Sequence, residues 1–118
     1  MDETSFIESI KLVLRAGTIK DVVKTIENPP GRLPNESLIK LSNWFNSLNE
    51  EEKILLRKVI ELSVDSSIFG FLCILDGVRS IENDIDKGCF ELYYKKGESK
   101  TLINDESKDL LHDLYNSI

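Results

Sequence analysis

Eight consecutive residues, Ile68 to Leu75, carry no polar side chain and run directly into Asp76-Gly77 and a charged exit bearing Arg79 and Glu82. No other stretch constrains the chain so tightly. The run is far short of the roughly 18–20 residues that cross a bilayer, so it belongs inside a folded core. Two structures compete for residues 66–82. Asp-Gly between apolar runs signals a two-residue hairpin. Against it, Asp65-Ser66-Ser67 reads as a helix N-cap, and Val64, Ile68, Phe71, Leu72 and Leu75 fit a helical stripe. Helix is favoured, with Gly77 as the left-handed residue after a helix ending near Asp76, and a short strand following over Val78–Glu82. A helix apolar all round must be covered all round. Replacing Phe71 or Leu72 with Ala is then expected to cost about 2–5 kcal/mol.

At 118 residues the chain has the length of a single globular domain, 1–118. Its 41% hydrophobic content is enough for one real core. The acidic N-terminal stretch, MDETSFIES, lacks the basic and apolar regions of a secretory signal. Cys73 sits in the apolar run and Cys89 lies sixteen residues on, a pairing nothing demands. A reducing cytoplasm is therefore the expected compartment.

Net charge is −6, and most of it lies late in the chain. Residues 65–118 hold six basic and eleven acidic side chains, whereas residues 1–64 hold nine and ten. Nucleic-acid affinity comes largely from Lys and Arg neutralising phosphates, so this balance argues against nucleic acid. It would instead steer a basic protein toward the second half.

Periodicity then divides the rest. Phe6, Ile10, Val13 and Leu14 share one helical face, which Gly17 ends; Thr18 starts a second helix carrying Ile19, Val22, Val23 and Ile26. Asn28-Pro29-Pro30-Gly31 stops that helix. Asn35 caps a third, with Leu38, Leu41, Phe45 and Leu48 in line and Trp44 beside them. Asn49 caps a fourth, where Glu50, Glu51 and Glu52 suit the positive end of the dipole and Leu55, Leu56, Val59, Ile60 and Leu62 form a buried side. Phe90 to Tyr94 alternates, Lys96-Gly97-Glu98 turns, and Thr101 to Ile103 returns, which is a hairpin signature. Asn104 or Asp105 caps a closing helix with Leu111, Leu114, Tyr115 and Ile118 along one side. The expected class is α+β: a mainly helical N-terminal half of four to five helices, a small antiparallel sheet, and a C-terminal helix.

Little of this chemistry is catalytic. The single histidine, His112, falls with Lys108 and Asn116 on the polar face of the last helix and is expected to be solvated. Burial would leave Cys73 inert, and Cys89 has no evident activating base. Residues 83–88 mimic a calcium loop, yet with Gly88 at position 6 of an EF-hand, Ile85, Lys87 and Tyr94 fall at positions 3, 5 and 12, where oxygen ligands belong. One histidine and two distant cysteines do not make a zinc site, and no phosphate-binding glycine motif is present. No cofactor or metal is expected. What remains is surface: Glu82, Asp84 and Asp86 form an acidic loop that leads into the aromatic strand.

The segments FGFLCILDGVRSIE, FELYY and LLHDLY resemble the pattern of small single-domain bacterial proteins in families of unknown function. In size, acidity and mixed make-up the chain also resembles the immunity proteins that neutralise toxins passed between competing bacteria. That second resemblance implies a non-catalytic protein-binding protein that occludes the active site of a cognate, basic toxin domain. The residues expected to face such a partner are Asp76, Arg79, Glu82, Asp84, Asp86 and Glu91. Two alternatives stand beside it. One is a small enzyme or ligand-binding domain using Asp76, Arg79 and Glu82. The other is a structural homo-oligomer joined through Trp44 or the hairpin edge. A monomer or weak homo-oligomer is expected, with no membrane attachment.

Overall fold

A computed structural model describes residues 1–118. The class is α+β, with four helices, a two-stranded antiparallel sheet and a C-terminal helix. In order these are α1 (Glu3–Ser9), a π-helical segment (Ile10–Arg15), α2 (Ala16–Glu27), α3 (Glu36–Ser47), α4 (Glu50–Leu75), β1 (Tyr93–Lys96), β2 (Ser99–Leu102) and α5 (Leu111–Ser117). The chain packs as two compact units. One comprises Met1–Leu14 with Ser66–Ile118, and the other Arg15–Asp65.

The regular structure of the Arg15–Asp65 unit is all helical. Gly17 does not cap a helix and Thr18 does not start one, because helical backbone runs unbroken from Glu3 to Glu27 through the π segment. Gly17 has no positive φ. A π turn holds an extra residue, so it rotates the side chains that follow off the earlier face. Val13 and Leu14 accordingly lie exposed, and the side chain that α1 buries fully is Ile7. The proline pair stops α2 as expected, with Asn28 in extended backbone. The last carbonyl of α2, Glu27 O, accepts from Ser42 Oγ and Asn46 Nδ2 on α3, both at 3.3 Å. Asn35 Oδ1 caps α3 by accepting the Ser37 amide. Asn49 and Glu52 form a reciprocal box at the start of α4: each backbone N–H donates to the other's side chain, at 3.0 and 2.9 Å. Ile19 and Phe45 are the buried apolar side chains of this unit. Leu55, Val59 and Leu62 were expected on the covered side of α4 but lie exposed; Leu56 and Ile60 are the partly covered pair.

Asp65-Ser66-Ser67 is not an N-cap either. Helix α4 runs 26 residues straight through it, and the Asp65 carboxylate instead takes the Arg15 guanidinium at 2.6 Å within the helical unit. The apolar run is thus the second half of one long helix. Hydrogen bonds Val78 N to Cys73 O and Gly77 N to Ile74 O close that helix, with Gly77 at φ +77°. This is the Schellman pattern, and it demands the left-handed residue that glycine supplies. No strand follows at Val78–Glu82; that segment is loop.

In the unit of Met1–Leu14 with Ser66–Ile118 the core is Ile7, Leu72, Ile103, Leu111 and Tyr115, with Phe69, Leu75, Leu92 and Tyr94 packed against it. Coverage of α4 is one-sided: Leu72 is 2% exposed and Phe71 60%. The hairpin begins later than Phe90. Tyr93 pairs with Leu102 and Lys96 with Ser99 around a two-residue Gly97-Glu98 turn, with Gly97 at φ +59°. Asn104 and Asp105 do not cap the final helix, which starts only at Leu111.

Candidate functional site

Residues 76–92 join α4 to β1 without helix or strand of their own. Asp76 stands at the first turn of this connection, and its side chain is 1% exposed. Its Oδ1 accepts the Leu111 amide at 3.1 Å and its Oδ2 the His112 amide at 2.9 Å. The same Oδ2 lies 2.6 Å from His112 Nδ1. Leu110, at the cap position of α5, offers no side-chain acceptor. Asp76 therefore does the capping from 35 residues earlier in the chain, placing a carboxylate where the helix dipole favours one.

His112 is not the solvated side chain expected from its polar helical face. It is 15% exposed, packs edge-on against the Phe69 ring, and has Nε2 3.3 Å from Asp113 Oδ1. Both ring nitrogens face carboxylates. Neither is turned toward a hydroxyl or thiol, so the Asp76–His112 pair has the composition of a catalytic dyad without its free nitrogen.

Asn104 is the second anchor. Its Nδ2 donates to Leu75 O at 2.6 Å and to Phe90 O at 2.8 Å, and its Oδ1 accepts the Leu92 amide at 2.8 Å. One amide side chain thus ties the end of α4 to both sides of Glu91. Between these anchors, Glu82 Oε2 accepts the Gly88 amide at 2.9 Å and closes a small loop. Ser80 Oγ braces the base of that loop by donating to Glu82 O and accepting the Glu82 amide.

The six residues singled out from sequence are distributed as follows. Asp76 is turned inward. The Arg79 guanidinium lies over Gly70 on α4, where a methyl group would collide with it. Glu82 holds the loop, and Asp84 and Asp86 are exposed on it. Glu91 accepts the Tyr93 hydroxyl at 2.9 Å, a bond that raises the tyrosine pKa above its usual 10.0. Asp76, Arg79 and Glu82 make no ion pair with one another. Arg79 and Glu82 border a recess of only about 80 Å³, and Asp76 borders a different cleft. Cys73 is buried and Cys89 exposed, both as free thiols. No group of three His, Cys, Asp or Glu side chains is placed to hold a metal ion.

Sequence reasoning missed Asn104, Leu111 and His112 as partners of this connection. Each is joined to it across a long stretch of chain, and periodicity carries no signal for that. What the loop exposes is mixed in character. Ile81, Ile85 and Phe90 are all open to solvent, with Ile85 fully extended into it at 101%. Glu82, Asp84, Asp86 and Glu91 alternate with them. No family model, curated protein or solved structure matches the chain. No helix is long and apolar enough to cross a membrane.

Proposed function

We propose that the chain is a non-catalytic, cytoplasmic protein-binding protein, of the immunity type, that occludes the active site of a basic toxin domain. The observation that carries this reading is the loop from Ile81 to Glu91. Large apolar side chains stand in water there, and carboxylates surround them. Protein interfaces place apolar anchors inside a polar rim in this way, and a few such anchors at the centre carry most of the binding energy. The loop is also held by the Ser80–Glu82 and Gly88–Glu82 hydrogen bonds and by Asn104, which donates to Phe90 O, and this reduces the ordering entropy lost on binding. Acidic side chains would pair with the basic residues that such a toxin uses to hold its own substrate, and would raise the association rate.

The test is co-expression with a toxin domain found encoded by a neighbouring gene, together with calorimetric titration of the purified pair. Glu82→Lys, Asp84→Lys and Asp86→Lys combined should abolish protection of the host and weaken binding by orders of magnitude. Unchanged affinity and protection would place the contact elsewhere.

A second reading, self-association, is favoured by a different observation. Leu55, Val59 and Leu62 lie at i, i+4 and i+7 on α4 and are all exposed. A second copy covering this stripe would make a homo-oligomer; Leu62→Glu should then return it to monomer in sedimentation experiments. A wild-type chain that sediments as monomer at high concentration would remove this reading.

A further inference from the structure

Beside the acidic loop lies a cleft of about 260 Å³ between the end of α4, residues 89–91 and the turn after β2. One wall is apolar, formed by Leu75, Phe90 and Leu102. The lining also includes Glu91, Asp105 and Glu106. None of these three carboxylates has a Lys or Arg within salt-bridge range; Lys108, whose charge reaches Asp105 at longer range, pairs with Glu3 at 3.7 Å. Two of them already have fixed orientations. Tyr93 donates to Glu91, and the Ser107 amide and hydroxyl both donate to Asp105 Oδ1. Asn104 fixes the floor by joining Leu75 to Phe90.

From this cavity we infer that the partner's central anchor is an arginine, whose side chain enters the cleft. The inference rests on the protein-binding reading above and deepens it. A volume of this size admits one long side chain. The methylene stem of an arginine would lie along Leu75 and Leu102, as such stems do on apolar surface. The planar guanidinium would meet the exposed Phe90 ring and the carboxylates of the lining, presenting several donors in a fixed fork. A lysine ammonium would fit less well, being a strongly hydrated point charge that does not match acceptors spread around a rim. The cleft thus adds a charged socket to the apolar anchors of the neighbouring loop.

The test needs no partner. The full chain is titrated with N-acetyl-arginine amide and, separately, with the neutral isostere N-acetyl-citrulline amide, following backbone amide shifts by NMR. The arginine probe should give saturable shifts at Phe90, Glu91, Leu102 and residues 104–106, and the citrulline probe should not. Glu91→Gln with Glu106→Gln, both at exposed positions, should weaken arginine binding at least tenfold while the hairpin amides keep their shifts. Absence of a saturable response to arginine overturns the proposal, and so does an equal response to citrulline. Because this readout is separate from the loop charge reversals, the two readings can fail independently. A partner lost on reversal of Glu82, Asp84 and Asp86, with an inert cleft, leaves the binding face standing and removes the arginine socket alone.

Discussion

The carboxylate of Asp76 lies 2.6 Å from the Nδ1 of His112, and it also accepts the first two amides of α5. A residue that reads from sequence as a possible reactive group is therefore the clasp that fixes the last helix to the end of α4. Its burial makes the clasp asymmetric. Removing the carboxylate strands two helix amides and an imidazole, whereas removing the imidazole leaves a carboxylate still holding two N–H donors. Asp76→Ala should cost about 1–3 kcal/mol, the range for buried polar groups left unsatisfied. His112→Ala should cost distinctly less. Urea midpoints of the two variants check this; equal losses would show that the imidazole, not the capping, dominates the clasp.

Asn104 makes a sharper chemical demand, because it uses both ends of its amide. Two carbonyls take its Nδ2 hydrogens and one amide reaches its Oδ1. Aspartate has nearly the same shape but no donor, so Asn104→Asp should set a carboxylate against Leu75 O and Phe90 O. We expect Asn104→Asp to be at least as damaging as Asn104→Ala, each costing about 1–3 kcal/mol for groups left unsatisfied. Hydrogen exchange at the Leu92 amide should quicken in the alanine variant. If Asn104→Asp proved as stable as wild type, the two donor bonds would carry no weight.

How far the fold is legible in the sequence follows from the range of the forces involved. Asn35, Asn49 and Gly77 are legible because caps and left-handed turns act over one helical turn. The hairpin is legible through Gly97 and its flanking alternation. The single long α4 is hidden because Asp65-Ser66-Ser67 has the composition of a helix start, and only the Arg15 contact shows what Asp65 does. The π segment is hidden for a related reason: nothing in the side chains of Ile10–Arg15 announces an extra residue, although it moves Val13 and Leu14 off the buried face. In the candidate site, the acids of the loop could be read directly from the chain. The clasp and the Asn104 anchor could not, since each joins residues brought together only by the folded core.

The one-sided covering of α4 separates two neighbours that look equivalent in sequence. Leu72 belongs to the core cluster, and Phe71 faces solvent. Leu72→Ala should cost about 2–5 kcal/mol, the transfer of its buried methyl groups plus the cavity left behind. Phe71→Ala should shift the unfolding midpoint by no more than the roughly 0.5 kcal/mol typical of surface positions. Thermal or urea unfolding of the two variants decides it. Comparable losses would mean that Phe71 is covered in solution, as a second copy or a partner would cover it.

The last expectation concerns pH at the rim of the cleft. The Tyr93 hydroxyl donates to Glu91, which favours the neutral phenol and raises its pKa above 10.0. A raised folded pKa means that this contribution to stability is fully present below pH 10 and fades as pH climbs through the folded value. Asp105 runs the other way. Its carboxylate accepts the Ser107 amide and hydroxyl, which lowers its pKa below 3.8, so its contribution is present above that value and fades in acid. Tyr93 is exposed and Asp105 only partly covered, so the effects on global stability should be small, and the site-specific titrations are the better measurement. In Glu91→Ala the Tyr93 ring signals should titrate back toward 10.0, and in Ser107→Ala the Asp105 carboxyl should move up toward 3.8. It moves only part of the way, because the Ser107 amide remains. A Tyr93 titration indifferent to the loss of Glu91 would mean that the hydroxyl is not held there in solution, and the rim of the cleft would lose one of its fixed carboxylates.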